Sequence, residues 1–375
     1  MTFMGIVGGS VRALSALAVV GASVLSAGVT PAVPAGAQPG SGARVEGQRL
    51  ADFVVGPWEI DPTLIGVFDT SAAVIDGPAT LEVEFPPELA EVAEQHSAID
   101  GFSSARWSDQ LELQNTVLRF ADPGVAAAAA TDLADALAGR QVPGGAVVPA
   151  PIPGHPQTRA YSNPVVEEDT GRTVTFVRAI TAHGPYVLSQ RAMAADGVAT
   201  AATLVAGTLD RQAGLIDQFV PTPPPLLDGI PADPTGLLAR TVARPTVDPE
   251  LPGSYGPHGA LHFQVDPVRA APVFADAGVS TWARSLTGVY ETRDPQAAQR
   301  VADVLVDGHV AVGEPSAPVA ALPGSRCASL EFPTTGEWGS YCAAATGRYA
   351  VEADGATLAE AQQRLTEQAG LLAGR

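Results

Sequence analysis

The sequence predicts an α+β protein built from two pseudo-repeated β-α-β-β-β-α units, each an antiparallel sheet with helices packed on one face. Three observations lead there. The stretch from Gly347-Arg348-Tyr349 to Gln368-Ala369-Gly370-Leu371 repeats an earlier one, from Gly184-Pro185-Tyr186 to Gln212-Ala213-Gly214-Leu215, each with an Ala-Asp-Gly break (Ala195-Asp196-Gly197, Ala353-Asp354-Gly355). Apolar runs are followed by Asp-Pro at Asp122-Pro123, Asp266-Pro267 and Asp294-Pro295. Asp accepts from the free N–H groups of a first helical turn and Pro is pre-set for the first position, so each pair predicts a helix start. The closing segments place Val198, Ala202, Val205, Leu209, Ala213 and Ile216 on one helical face, and Leu358, Ala361, Leu365, Ala369 and Leu372 on another. Two copies are too few for a solenoid, so a pair of α+β domains is expected.

In chain order, residues 1–37 read as an export signal. Arg12 is its one basic residue, an apolar run extends from Ala13 to about Val24, and Ala35-Gly36-Ala37 is a small-residue cleavage site. The run is shorter than the ~20 residues that span a bilayer. Leu25-Ser26-Ala27-Gly28 has the shape of a lipoprotein site with Gly28 where the lipid-bearing Cys would stand, so it cannot be acylated. An N-terminal domain over 38–220 starts with a short helix (Val45 to Val55), an alternating strand (Leu81 to Phe85) and a helix from Pro86-Pro87 to Gln95. The duplication then begins, with Gly101-Phe102-Ser103-Ser104 matched to Gly278-Val279-Ser280-Thr281 and strands at Leu113–Phe120 and Ser285–Thr292. Residues 221–235 are Pro-rich and predict an extended, semi-stiff linker. The C-terminal domain, 236–375, predicts strands at Leu237–Val242 and Ala260–Val265 and a helix from Asp266-Pro267 to Ala277.

Composition limits the chemistry. The net charge of −19 comes from 40 acidic against 21 basic residues, all 21 of them Arg. Without Lys there is no P-loop, Ser-x-x-Lys nucleophile or Schiff base, and the acidity argues against nucleic acid. Cys327 and Cys342, flanking a predicted hairpin in an exported chain, predict a disulfide. His258 and His262 stand at i, i+4, but Pro257 and Gly259 argue against a helix there and no third ligand is in view, so no metal and no cofactor are expected. Glu167-Glu168-Asp169-Thr170-Gly171 reads as a solvated acidic turn. Neither G-x-S-x-G nor H-E-x-x-H occurs. Trp58, Trp107, Trp282, Trp338 and Tyr341 are either core residues or the lining of a groove.

The chain resembles a family of uncharacterised envelope lipoproteins of mycolic-acid-making actinobacteria, a domain-of-unknown-function family. The resemblance rests on Glu46-Gly47-Gln48-Arg49-Leu50-Ala51-Asp52, Asn115-Thr116-Val117-Leu118-Arg119-Phe120, Phe219-Val220-Pro221-Thr222-Pro223, Asp233-Pro234-Thr235-Gly236-Leu237-Leu238-Ala239-Arg240 and Gly259-Ala260-Leu261-His262-Phe263. It implies an envelope location and a two-part organisation, and supplies no catalytic or binding residues. The expectation is therefore an exported, non-catalytic protein that binds an envelope lipid, glycan or protein, with a cleft between the copies as the natural site. A carboxylate-based envelope hydrolase and a structural or assembly protein are the alternatives.

Overall fold

The computed structural model describes residues 41–68, 71–142, 145–167, 171–244, 252–331 and 338–374. The signal at 1–37 and the tip of the acidic turn, 168–170, lie outside the described residues.

The first half runs through α1 (Ser41–Leu50), α2 (Pro57–Ile60), β1 (Ala72–Ile75), α3 (Pro78–Glu84), α4 (Pro87–Gln95), β2 (Asp100–Trp107) and β3 (Leu111–Arg119). It continues with α5 (Pro123–Ala138), a two-strand ladder of β4 (Gln141–Val142) and β5 (Gly145–Ala146), then β6 (Val148–Pro149), β7 (Arg159–Val166), β8 (Thr173–His183), β9 (Tyr186–Ala194) and α6 (Val198–Ile216). The second half contains β10 (Gly253–Tyr255), α7 (Pro257–Leu261), α8 (Pro267–Ala277), β11 (Thr281–Arg284), β12 (Thr287–Glu291) and α9 (Pro295–Val312). It closes with β13 (Glu314–Ser316), β14 (Arg326–Glu331), β15 (Trp338–Thr346), β16 (Tyr349–Gly355) and α10 (Leu358–Ala373).

Each half forms a seven-stranded sheet, in the orders β1-β2-β3-β9-β8-β7-β6 and β10-β11-β12-β16-β15-β14-β13. The orders correspond position by position, so the α+β class and the duplicated unit stand. The helices, however, divide between the two faces of each sheet. On β3, Val117 packs into the core under α6 while the next residue, Leu118, packs into the core under α5. On β15, Tyr341 and Ala343 face α9, and Cys342 and Ala344 face α10. Successive residues of a strand point to opposite faces, so both faces are buried.

The register also corrects the extent of the repeat. Tyr186 pairs with Arg119 as Tyr349 pairs with Glu291, and Asp100 pairs with Arg119 as Thr281 pairs with Glu291. Gly101 thus corresponds to Trp282 and not to Gly278, which instead ends α8 in a left-handed conformation at φ 60. Ala353-Asp354-Gly355 lies within β16, whereas Ala195-Asp196-Gly197 follows β9. The tight turn before each Tyr is shared, with Gly184 and Gly347 at φ 53 and 58, where a side chain would be strained.

Three segments read as strands are helical. Leu81–Phe85 belongs to α3: Gly77-Pro78 starts a helix, and burial of Leu81, Glu84 and Phe85 beside an exposed Val83 satisfies spacings of three and four. Leu237–Val242 holds a single 3-10 turn over Leu238–Arg240, capped by the Asp233 carboxylate. Ala260–Val265 spans the end of α7 and the turn that leads to α8, because Pro257 occupies the first helical turn instead of breaking it.

A glutamine in each closing helix explains why the equivalence reaches upstream of the sheets. Fully buried Gln212 accepts from Val55 N and Asn115 Nδ2 and donates to Phe53 O. Fully buried Gln368 accepts from Val242 N and Thr287 Oγ1 and donates to Arg240 O. The register makes Asn115 the counterpart of Thr287, so residues 53–55 and 240–242 are equivalent straps latched by equivalent glutamines. The Pro-rich stretch is also docked: Pro224–Gly229 forms a 3-10 turn with Leu227 buried, and Thr222 N and Oγ1 donate to the buried Glu46 carboxylate. The Cys327–Cys342 disulfide joins directly paired residues of β14 and β15.

Candidate binding cleft at the seam between the copies

The two halves meet along α7, whose residues dock against the segment between α1 and α2. Gly259 N donates to Asp52 Oδ1 at 2.7 Å, and His258 Nε2 lies 3.1 Å from Glu59 Oε2. Small residues are required for this approach. A Cβ on Gly256 would come within 1.9 Å of Asp52 Oδ2, and one on Gly259 within 3.1 Å of the Ala51 Cβ.

His262, expected in a strand, caps α7 and is fully buried. Its Nδ1 pairs with Ser104 Oγ at 2.8 Å and its Nε2 with Ala51 O at 3.1 Å, while its ring stands edge-on to Trp58 and Phe102. Burial, and then the neighbouring His258, holds its pKa well below the ordinary histidine value, so it is a neutral structural residue. Burial opposes protonation of His258 as well, but the hydrogen bond and charge of Glu59, with the charge of Asp52, outweigh it and raise its pKa. Arg106 reaches across from β2 with no exposed surface, donating to His262 O and Gln264 O at 2.7 Å each and to Ile65 O at 3.2 Å. Aromatic packing continues through Tyr255, Phe263, Trp282 and Tyr290. Most of the seam is therefore solid.

At one edge it opens into a cleft of about 200 Å³ lined by Arg49, Asp52, Phe53, Pro234, Thr235, Ser254, Tyr255, Gly256 and Thr281. The lining comes from the strap of the first half, the connector and the second half. Asp52 is raised by burial, which the hydrogen bond from Gly259 and the charge of His258 only partly offset. Arg49 is held by Glu46 and Thr222 and stacks over Phe219. The cleft thus combines aromatic walls with a cation, a carboxylate and hydroxyls.

The residues singled out in the sequence are scattered. Trp58 lies in the seam, packed with the second half's core. Trp282 is buried and donates to Glu352 Oε1 at 2.9 Å, a carboxylate that also accepts from the hydroxyls of Tyr290 and Tyr341. Trp107 donates to Val67 O at the outer end of β2, and Trp338 opens β15. His155 and His183 pair with Asp210 and Asp217 at the surface. Among the described residues no group of three or more His, Cys, Asp or Glu is arranged to hold a metal ion, and no helix is long and apolar enough to cross a membrane. Buried carboxylates do converge, since Glu46 and Asp100 both bind Arg119, but all three side chains are enclosed. Asp52, Glu59 and Arg106 were not singled out in the sequence.

The family model described as Domain of unknown function (DUF7373) N-terminal matches residues 33–232, and the one described as Domain of unknown function (DUF7373) C-terminal matches residues 237–375. No curated protein matches the sequence. Among solved structures, the chain is similar to the extracellular domain of PknH from Mycobacterium tuberculosis at 14% identity and a TM-score of 0.30, covering 45% of this chain and 96% of that one. The N-terminal match alone spans more than half of the sequence, and on that ground the chain belongs to the DUF7373 family.

Proposed function

We propose that this is an exported, non-catalytic protein of the cell envelope that binds the end of a glycan in the cleft between its two copies. The observation that carries the reading is the composition of that cleft. Phe53 and Tyr255 offer the apolar walls on which a sugar ring packs, beside Arg49, Asp52, Thr235 and Ser254 as hydrogen-bonding partners. At about 200 Å³ the cleft is smaller than the roughly 300–1,000 Å³ that encloses a drug-sized ligand, which favours a terminal group over a whole lipid. Export is supported by the Arg12–Ala37 signal pattern and by the Cys327–Cys342 disulfide.

Thr235 lines the cleft from the connector and takes part in neither glutamine latch, so Thr235→Trp fills it with little disturbance of the fold. Screening the secreted chain and this variant against immobilised envelope oligosaccharides tests the proposal. A glycan retained by the wild type and lost by the variant supports it. Equal retention by both, or none by the wild type, removes the cleft as the site. Shortened oligosaccharides in the eluate would overturn the non-catalytic reading and turn attention to Asp52 and Glu59.

A further inference from the structure

The face of the first sheet opposite α6 is covered by α5 only part of the way along. Past the end of α5 at Ala138, two cross-strand rows keep partly exposed members, although Ala105 and Met193 within them are buried. One is Ala105–Gln114–Arg191–Arg178–Tyr161, and the next is Trp107–Glu112–Met193–Phe176–Asn163. Arg178 and Arg191 are directly paired on β8 and β9, neighbouring strands that lie about 4.8 Å apart. Like charges placed directly opposite one another destabilise a sheet, and here they sit in a chain of net charge −19 with acidic residues to spare.

The acidic residues nearby are already engaged. Glu112 pairs with Arg191 at 3.4 Å, Glu88 with Arg140, and Glu84 accepts from Gln114 at 2.8 Å. Burial raises the Glu84 carboxyl, which weakens it further as a counter-charge. Arg178 makes neither a hydrogen bond nor an ion pair with any described residue. Its guanidinium lies 5.8 Å over the Phe85 ring, and that of Arg191 lies 4.3 Å over Phe176. Stacking fixes the planes of both forks while leaving N–H donors unused.

We propose that Arg178 and Arg191 form a binding site for a phosphate group, flanked by the partly exposed Phe176 ring as an apolar shelf for whatever carries it. A tetrahedral anion with several charged oxygens can accept from two guanidinium forks on adjacent strands at once, which a carboxylate with two oxygens does less well. The same binding removes the repulsion between the two arginines. Arg140 adds a third positive charge at the rim. The phosphate belongs to a lipid headgroup or to a soluble phosphate ester, and the shelf serves either.

The test is thermal unfolding and calorimetric titration of the full chain with inorganic phosphate and, separately, with dihexanoyl phosphatidic acid, against chloride at equal ionic strength. Wild type should bind, and Arg178→Gln should weaken binding at least tenfold while melting, without ligand, no lower than wild type. Tighter binding of the phosphatidic acid than of phosphate identifies a lipid headgroup; equal binding identifies a soluble ester. Arg191→Lys, which keeps the charge but not the fork, gives the same answer should Arg178→Gln fail to fold. Undiminished binding by these variants, or no binding of either probe by wild type, overturns the site. Thr235→Trp in the seam cleft leaves phosphate binding unchanged, so the two proposals fail separately.

Discussion

Asp100 shows how a single buried charge shapes the response of this protein to pH. Only 1% of the residue is exposed, and Arg119 Nη2 stands 2.6 Å from its Oδ2. Burial raises the carboxyl to about 7, against the attraction of Arg119 and with added repulsion from Glu46. An unfolded Asp titrates near ~3.9. Between those values the folded chain binds the extra proton, so this group's stabilising contribution is complete below about pH 3.9 and is lost as pH rises towards 7. Asp100→Asn cannot titrate. Subtracting its urea-unfolding free energy from that of wild type should give a difference that falls with rising pH between 4 and 7, by at most ~1.4 kcal/mol per unit. A flat difference would place the Asp100 pKa near its unfolded value.

At the scale of elements, the latched straps are the feature that both copies retained. Gln212 and Gln368 each satisfy a backbone N–H, a backbone carbonyl and a side chain on a strand, all without solvent access. Gln368→Leu fills the space but leaves Arg240 O without its donor and the Thr287 hydroxyl without its acceptor, while Val242 N keeps Thr287 Oγ1; Gln212→Leu leaves Val55 N and Phe53 O without their partners. Each buried group left unsatisfied costs ~1–3 kcal/mol, so either variant should lose roughly 2–4 kcal/mol in denaturant unfolding. A loss below ~1 kcal/mol would mean that packing alone holds the straps.

The repeated Gln-Ala-Gly-Leu was plain in the sequence because a helical stripe and a Gly turn leave periodic marks. Its purpose was not, since the strap it binds lies 157 residues upstream in one copy and 126 in the other. Leu81-Glu82-Val83-Glu84-Phe85 misled for a related reason. Its alternation fits a strand, but the same residues satisfy a short helix once Gly77-Pro78 starts one. The cleft was foreseen as a place and not as a set of residues, because Arg49, Thr235 and Tyr255 meet only when three distant segments converge.

For the whole molecule, the seam decides whether two similar domains behave as one. Arg106 is the deepest link, a charge from the first half satisfied by carbonyls of the second, with burial lowering its pKa to about 10. Around it the rings of Trp58, Phe102 and His262 interlock across the boundary. Such coupling predicts one calorimetric transition for the wild type. Arg106→Met keeps the length of the side chain and leaves His262 O and Gln264 O without a donor, so the seam should part before either sheet melts. Two resolved transitions in the variant are expected, and a single unshifted transition in it would show that the rings alone unite the halves.

The latches also impose a timetable on a chain that is synthesised N-terminus first. Each strap emerges long before the helix that receives it, so residues 53–55 wait for Gln212 and residues 240–242 for Gln368. The first sheet is finished while the second is still being delivered. Until α10 arrives, Ala283, Val289, Ala344 and Val351 present an uncovered apolar face. Synthesis stalled within that interval leaves a half-built molecule with one mature sheet and one adhesive one, the state in which encounters with other nascent chains do the most harm.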